Sequence, residues 1–315
     1  MMEDLETRLG DCVVEDVCYR VEKNSEVGRH LVVTRSVRKG EVVFQDSPLV
    51  TGPSRESEPC CVSCYRPLDL TTAVTAEDAE EDEMESSGPV PHILCPRCGW
   101  PLCSLQCSAS QRHQPECQLV SRAALQISPE DTDSLYDVIT VIRCLHLKKT
   151  DSKAWAALLN LQEANPEVMD KDLLERAKMV TGLLCGTFKI GEEFPKELVF
   201  DICTRLDINS FEIPLSGTSA TVQGVYSLAC MVEHSCIPTG HRSVSPRLHQ
   251  LVSFITLLTL RCFNPDLSIT VRSAYGAEEG DSVSICYTDS LWTTAARREN
   301  LVYSKVRDLS AGLTD

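Results

Sequence analysis

Eight residues between Cys61 and Cys117 have the types and spacing of metal ligands. They fall in four close pairs: Cys61-x2-Cys64, Cys95-x2-Cys98, Cys103-x3-Cys107 and His113-x3-Cys117. Zn²⁺ takes four thiolate or imidazole ligands in a tetrahedron, so eight supply two closed sites. Each pair can turn both ligand atoms toward one ion. Closed sites leave no open position for a substrate, so the chemistry expected is structural. The segment is poor in large aliphatic residues, and metal binding would supply its folding energy, on the order of 10–16 kcal/mol for a structural zinc. Two nearby residues compete as ligands, His92 and Cys60, but only Cys61 gives the two-residue spacing to Cys64.

Other residues could act beyond the cysteine-rich segment. His234 sits beside Ser235 and Cys236. Neighbouring residues cannot easily face one another as base and nucleophile, which argues against a Cys-His hydrolase. Tyr287 ends an alternating run, Ser282–Tyr287, that places Val283, Ile285 and Tyr287 on one face of a strand. A turn at Ala277–Gly280 precedes that run, and a second alternating run, Ser268–Arg272, precedes the turn. Near the start, Gly28 opens the apolar run Leu31–Val33, with a turn at Ser36–Gly40 and a strand at Glu41–Asp46. Between these β-like ends lies a helical stretch. Leu135, Val138, Ile139, Ile142 and Leu145 recur at helical spacing, as do Leu173, Ala177, Val180 and Leu184. Ser152 is expected to cap a helix through Leu161, and Pro195 to open one running to about Leu206.

Composition bounds the function classes. The 315 residues are 43% hydrophobic and 24% charged, with a net charge of −16. That balance argues against broad binding to nucleic acid, which needs clustered Lys and Arg, and favours a basic partner by steering. Met1–Asp11 is too charged for a secretory leader, and the longest apolar run, Leu251–Leu260, is about half of what a membrane span needs. The expected location is the cytoplasm, the nucleus or both, where seventeen Cys point to metal before disulfides. The acidic run Glu77–Glu85 reads as a solvated loop.

The order of the ligand pairs resembles a MYND zinc finger. A RING finger expects a central Cys-x-His, and the sequence has none there. In MYND fingers the pairs interleave, which implies one zinc on Cys61, Cys64, Cys103 and Cys107 and a second on Cys95, Cys98, His113 and Cys117. The flanks resemble a SET domain. Val27–Thr34 is similar to its opening cofactor loop, with His30 where a second glycine usually stands. Glu233-His234-Ser235-Cys236-Ile237-Pro238-Thr239 resembles the motif Asn-His-Ser-Cys-x-Pro-Asn, and Ser284–Asp289 resembles the segment carrying the active-site tyrosine. The chain is thus similar to the SET-and-MYND family. His30, Glu233 and the long acidic loop resemble its arthropod SmydA and Msta-like branch.

The resemblance implies an α+β protein whose β-rich SET fold is split by a two-zinc MYND finger and an all-helical insert. The expected divisions are 15–58 and 218–303 for the two SET parts, 59–117 for the finger with an acidic loop at 77–88, and 118–217 for the helical insert. Residues 243–266 match nothing in the family and read as an atypical insert or a gene-model artefact; 304–315 read as a truncated tail that stops before the family's post-SET cysteines. The implied activity is S-adenosylmethionine-dependent methylation of a protein lysine, histone lysines included. Tyr287 would be catalytic, and Gly28, Arg29, His30, Asn209, Glu233 and His234 would hold the cofactor. The implied partners are a lysine-containing protein or peptide and, at the finger, a proline-containing peptide. The alternative is a catalytically weak or inactive adaptor acting through the finger, with a role in transcriptional regulation. Neither nucleic acid nor membrane is expected as a partner.

Overall fold

A computed structural model describes residues 17–25, 28–75, 88–215, 217–234, 240–242 and 266–285. Its strands are β1 (Tyr19–Asn24), β2 (Gly28–Val33), β3 (Val42–Asp46), β4 (Pro48–Pro53), β5 (Leu68–Ala73), β6 (Val90–Leu94) and β7 (Pro101–Leu102). Helices follow: α1 (Leu105–Ala109), α2 (Gln114–Arg122), α3 (Thr132–Thr150), α4 (Ser152–Leu159), α5 (Lys171–Gly186) and α6 (Lys196–Asn209). The chain then returns to strands, with β8 (Ser210–Pro214), β9 (Thr221–Tyr226), β10 (Glu233–His234), β11 (Gly240–Arg242), β12 (Ile269–Ser273) and β13 (Ser284–Ile285). The described residues fall into two compact units, one within 17–46 and 231–285 and the other within 47–230.

The first unit is a set of strand ladders that join distant parts of the chain. β1 and β2 pair antiparallel from Tyr19↔Val33 to Asn24↔Gly28. Leu31, Val32 and Val33 are all buried, so β2 carries the apolar run inward. β12 lies between β11 and β3 in an antiparallel ladder, with Val271 opposite Phe44. The turn before β3 needs Gly40, whose φ is +82°, in the left-handed region that glycine adopts without Cβ strain. Both expected strands, at Glu41–Asp46 and Ser268–Arg272, form within a residue or so of those limits.

The second unit packs helices on the antiparallel sheet β4–β9–β8. Helix α3 lies close along β4, and a Cβ at Gly52 would sit 2.2 Å from Thr140 Oγ1, so the approach depends on glycine. Val138, Ile139, Ile142 and Leu145 of α3 are buried, as are Leu173, Ala177, Val180 and Leu184 of α5. Two helix limits differ from expectation. The residue capping α4 is Asp151, not Ser152, because the Asp151 carboxylate accepts from Ala154 N at 2.8 Å; α4 ends at Leu159. Helix α6 runs past Leu206 to Asn209, since Ile208 and Asn209 are themselves buried. Among the described residues no helix is long and apolar enough to cross a membrane.

Candidate functional site

The cysteine-rich segment forms two ligand clusters. Cys61, Cys64, Cys103 and Cys107 gather in one, and Cys95, Cys98, His113 and Cys117 in the other; within each, the ligand atoms lie within 4.8 Å of one another. In the first, Cys64 Sγ is 3.4 Å from Cys103 Sγ, which is 3.5 Å from Cys107 Sγ. In the second, Cys95 Sγ is 3.8 Å from Cys117 Sγ, and Cys98 Sγ is 3.4 Å from His113 Nε2. Tetrahedral zinc with Zn–S of about 2.3 Å sets edges of about 3.8 Å, so both donor sets fit the ion. The rivals stand apart from these clusters. Cys60 is held by Ser57 at 3.8 Å, and the His92 ring lies 3.1 Å from the Asp69 carbonyl.

Local structure explains the grouping. In each Cys-x2-Cys knuckle the chain folds back on the first cysteine: Tyr65 N donates to Cys61 O at 2.7 Å, and Gly99 N to Cys95 O at 2.9 Å. The residue that closes each turn is left-handed, Tyr65 at φ +67° and Gly99 at φ +80°. Tyr65 is held there by its hydroxyl, which donates to Thr51 Oγ1 at 2.8 Å, and by Arg112 stacked 5.3 Å above its ring. At Gly99 a Cβ would meet Ile127 O at 2.5 Å. Gly99→Ala is therefore expected to destabilise the second unit by about 2 kcal/mol or more, from left-handed strain alone at 1–2 kcal/mol plus the clash. A thermal melt reads that loss. Cys103 precedes α1, capped by Ser104, whose hydroxyl accepts from Cys107 N at 3.2 Å and so sets Cys107 in the first turn. The strands β5 and β6 pair parallel; residues 76–87, which hold the acidic run, lie outside the described residues.

The charge balance of the first cluster suits a cation. Without one, gathered thiols cannot all ionise: hydrogen bonding with Cys103 draws Cys64 down to about 7, while burial pushes Cys61 well up. A bound dication would let every thiol in the set ionise. The clusters differ in exposure. All four ligands of the second are buried, whereas Cys64 of the first is exposed. A chelator is thus expected to strip the first cluster before the second, in two kinetic phases read with a colorimetric zinc indicator. A single phase would contradict the difference.

His113, Glu116 and Cys117 occupy the start of α2, at offsets of three and four residues that share one helix face. His113 Nδ1 lies 3.3 Å from Glu116 Oε1. A carboxylate only accepts, so Nδ1 carries the hydrogen and Nε2 keeps its lone pair for the cluster. Glu116 escaped sequence reasoning; its place three residues after a ligating histidine was the available signal.

The SET-like residues are distributed differently. In the first unit, the segment 280–285 joins β2 on one side and β10 on the other. Val283 N donates to Leu31 O at 2.8 Å and Val33 N to Asp281 O at 2.9 Å. Glu233 pairs with Ser284 and His234 with Ile285, in parallel. Gly28 is left-handed at φ +76°, with no protein atom within 4 Å of an added Cβ. His30 is buried, its Nδ1 3.2 Å from Gly28 O, and burial lowers the pKa of Arg29. Tyr287 lies outside the described residues, as do 235–239, 243–265 and 304–315. Asn209 belongs to the second unit. Its amide donates to Gln162 O and Arg205 O, each at 2.8 Å.

No family model matches the chain. It is 24% identical over 316 residues to the Drosophila melanogaster "SET domain-containing protein SmydA-8, isoform A", an alignment that takes in 96% of this chain. Isoform B is 26% identical over 309 residues, covering 95% of this chain. The chain is similar to SmydA SET-domain proteins. This SmydA-like chain spans 57% and 58% of the length of those two relatives. Among solved structures it is similar to "the SET domain of LSMT bound to Lysine and AdoHcy", at a TM-score of 0.43 and 11% identity, covering 96% of this chain and 55% of that one.

Proposed function

We propose that this SmydA-like protein is an S-adenosylmethionine-dependent protein-lysine N-methyltransferase of SET-and-MYND type, with two structural zinc ions in its finger. One observation carries the reading. Three motif-bearing segments far apart in sequence, at Gly28–Val33, Glu233–His234 and Ser282–Ile285, meet in adjoining ladders of one unit. The relationship to a SET-domain protein over 95–96% of the chain supports it.

The bound donor would supply an electrophilic methyl group on a sulfonium. The protein's task is then positioning. A lysine amine has a pKa near 10.4 and must lose its proton to attack; an apolar channel lowers that value by disfavouring the ammonium. We assign Tyr287 the role of orienting the amine. The backbone at Gly28–His30 and Glu233–His234 is assigned to the donor. A carboxylate at Glu233 can attract the donor's own ammonium but offers no amide hydrogen. The closed clusters leave no position for a substrate, so neither zinc takes part in the transfer.

Calorimetry of the zinc-loaded chain with S-adenosylmethionine, followed by methylation of a lysine-peptide array with labelled donor, tests the reading. Binding and lysine-dependent label are the expected results. A zinc-loaded protein that binds no donor would overturn it in favour of the finger-based adaptor.

A further inference from the structure

Arg143 sits on α3, in the helical insert, inside the otherwise uncharged stretch Val138–Leu145. It is 6% exposed. A guanidinium has five N–H donors, and a buried one left unmatched is costly. Here all five are matched. Nε donates to Glu116 Oε2 at 3.2 Å, and Nη2 to Glu116 Oε1 at 2.5 Å and to Val62 O at 2.7 Å. Nη1 donates to Thr51 O at 2.8 Å and to the Tyr65 hydroxyl at 2.9 Å. The Glu116 carboxylate, fully buried, in turn faces the imidazole of His113. Val62 and Tyr65 belong to the first cluster's knuckle, and Thr51 to β4.

We propose that Arg143 is a positioning residue for the second metal cluster, acting through Glu116 to hold His113 in the orientation and tautomer that ligates. Outer partners of a metal-bound histidine fix its ring and raise its basicity. Both oxygens of this fully buried carboxylate need hydrogen-bond donors. The arginine supplies them, and its planar fork fixes both carboxylate oxygens at once. A lysine carries the charge but offers three donors from one point, which cannot reach five acceptors in four directions. The finger's second zinc site is therefore completed by a residue of the helical insert, more than twenty positions beyond its last ligand.

The inference rests on metal binding by the finger and is independent of methyl transfer. Zinc analysis of the unaltered chain comes first; a value of two establishes the site to be perturbed, and a value of zero ends the proposal. Arg143→Met, Arg143→Lys and Glu116→Gln are then compared by chelator competition and by the visible spectrum of the cobalt-substituted protein. The expected result is 10- to 100-fold weaker metal binding at the cluster containing His113, a range typical of lost outer partners. It comes with a cobalt spectrum altered by a displaced imidazole and no rescue by Lys. If Arg143→Met does not fold, Glu116→Gln, which leaves the arginine in place, carries the same expectation. Tyr136→Phe is the control. The Tyr136 hydroxyl accepts from Cys60 N at 2.8 Å, so the variant loosens finger against insert without touching Glu116. It should lower the melting temperature and leave the spectrum unchanged. Native affinity and spectrum in the Arg143 and Glu116 variants, or an equal spectral change in Tyr136→Phe, would overturn the proposal.

Discussion

Cys98→Ser is expected to yield a protein with one zinc ion in place of two and a second unit that no longer melts cooperatively. A structural zinc contributes about 10–16 kcal/mol to a finger, comparable with or larger than the about 5–15 kcal/mol by which a whole domain is stable. Losing much of that from one buried cluster leaves little margin. The damage should spread, because Cys98 and its neighbours do not fold alone. Ile127 N donates to Cys98 O at 2.8 Å, and Arg143 reaches the knuckle of the other cluster. Native mass spectrometry counts the ions, and a calorimetric melt reads the loss of cooperativity. Two retained zinc ions with an unchanged melt would remove Cys98 from the ligand set.

The second large effect is expected on turnover. Tyr287→Phe should reduce labelled methyl transfer by about 10²-fold or more, the scale set by misplacing reacting groups by about an ångström. Deleting one hydroxyl leaves the aromatic bulk in place, so circular dichroism and zinc content should be those of the unaltered chain. Unchanged turnover in a correctly folded variant would exclude Tyr287 from the reaction while leaving the SET relationship intact.

The two ligand clusters were legible in the sequence because a Cys-x2-Cys pair encodes its own geometry: a tight turn brings both sulfurs to one side. The helical faces were legible for a similar reason, since Val138, Ile142 and Leu145 repeat at the helix period. What escaped were features whose cause lies far along the chain. Arg143 is five residues from Val138 and looks like an exposed position on a helical wheel; only the folded finger shows the acceptors waiting for it. β5 and β6 lie on either side of the run read as a loop at 77–88, and no strand is read from the sequence in either place. Asp151 rather than Ser152 caps α4, a one-residue choice that backbone direction decides and composition does not. Asn209 was picked from a resemblance, and the hydrogen bonds of its amide show a structural duty that no local pattern announced.

The pairing of Phe44 with Val271 has a consequence for biosynthesis. The two residues are 271 − 44 = 227 positions apart. At translation rates of about 5–20 residues per second, β3 emerges from the ribosome about ten to forty-five seconds before its partner exists. The intervening 47–230 can collapse around zinc in that interval, since its sheet and clusters are internal to it. The early strands meanwhile offer unpaired edges, a template for wrong partners. The nascent protein should therefore depend on chaperone cover, and metal starvation during synthesis should be more damaging than chelation of the finished molecule.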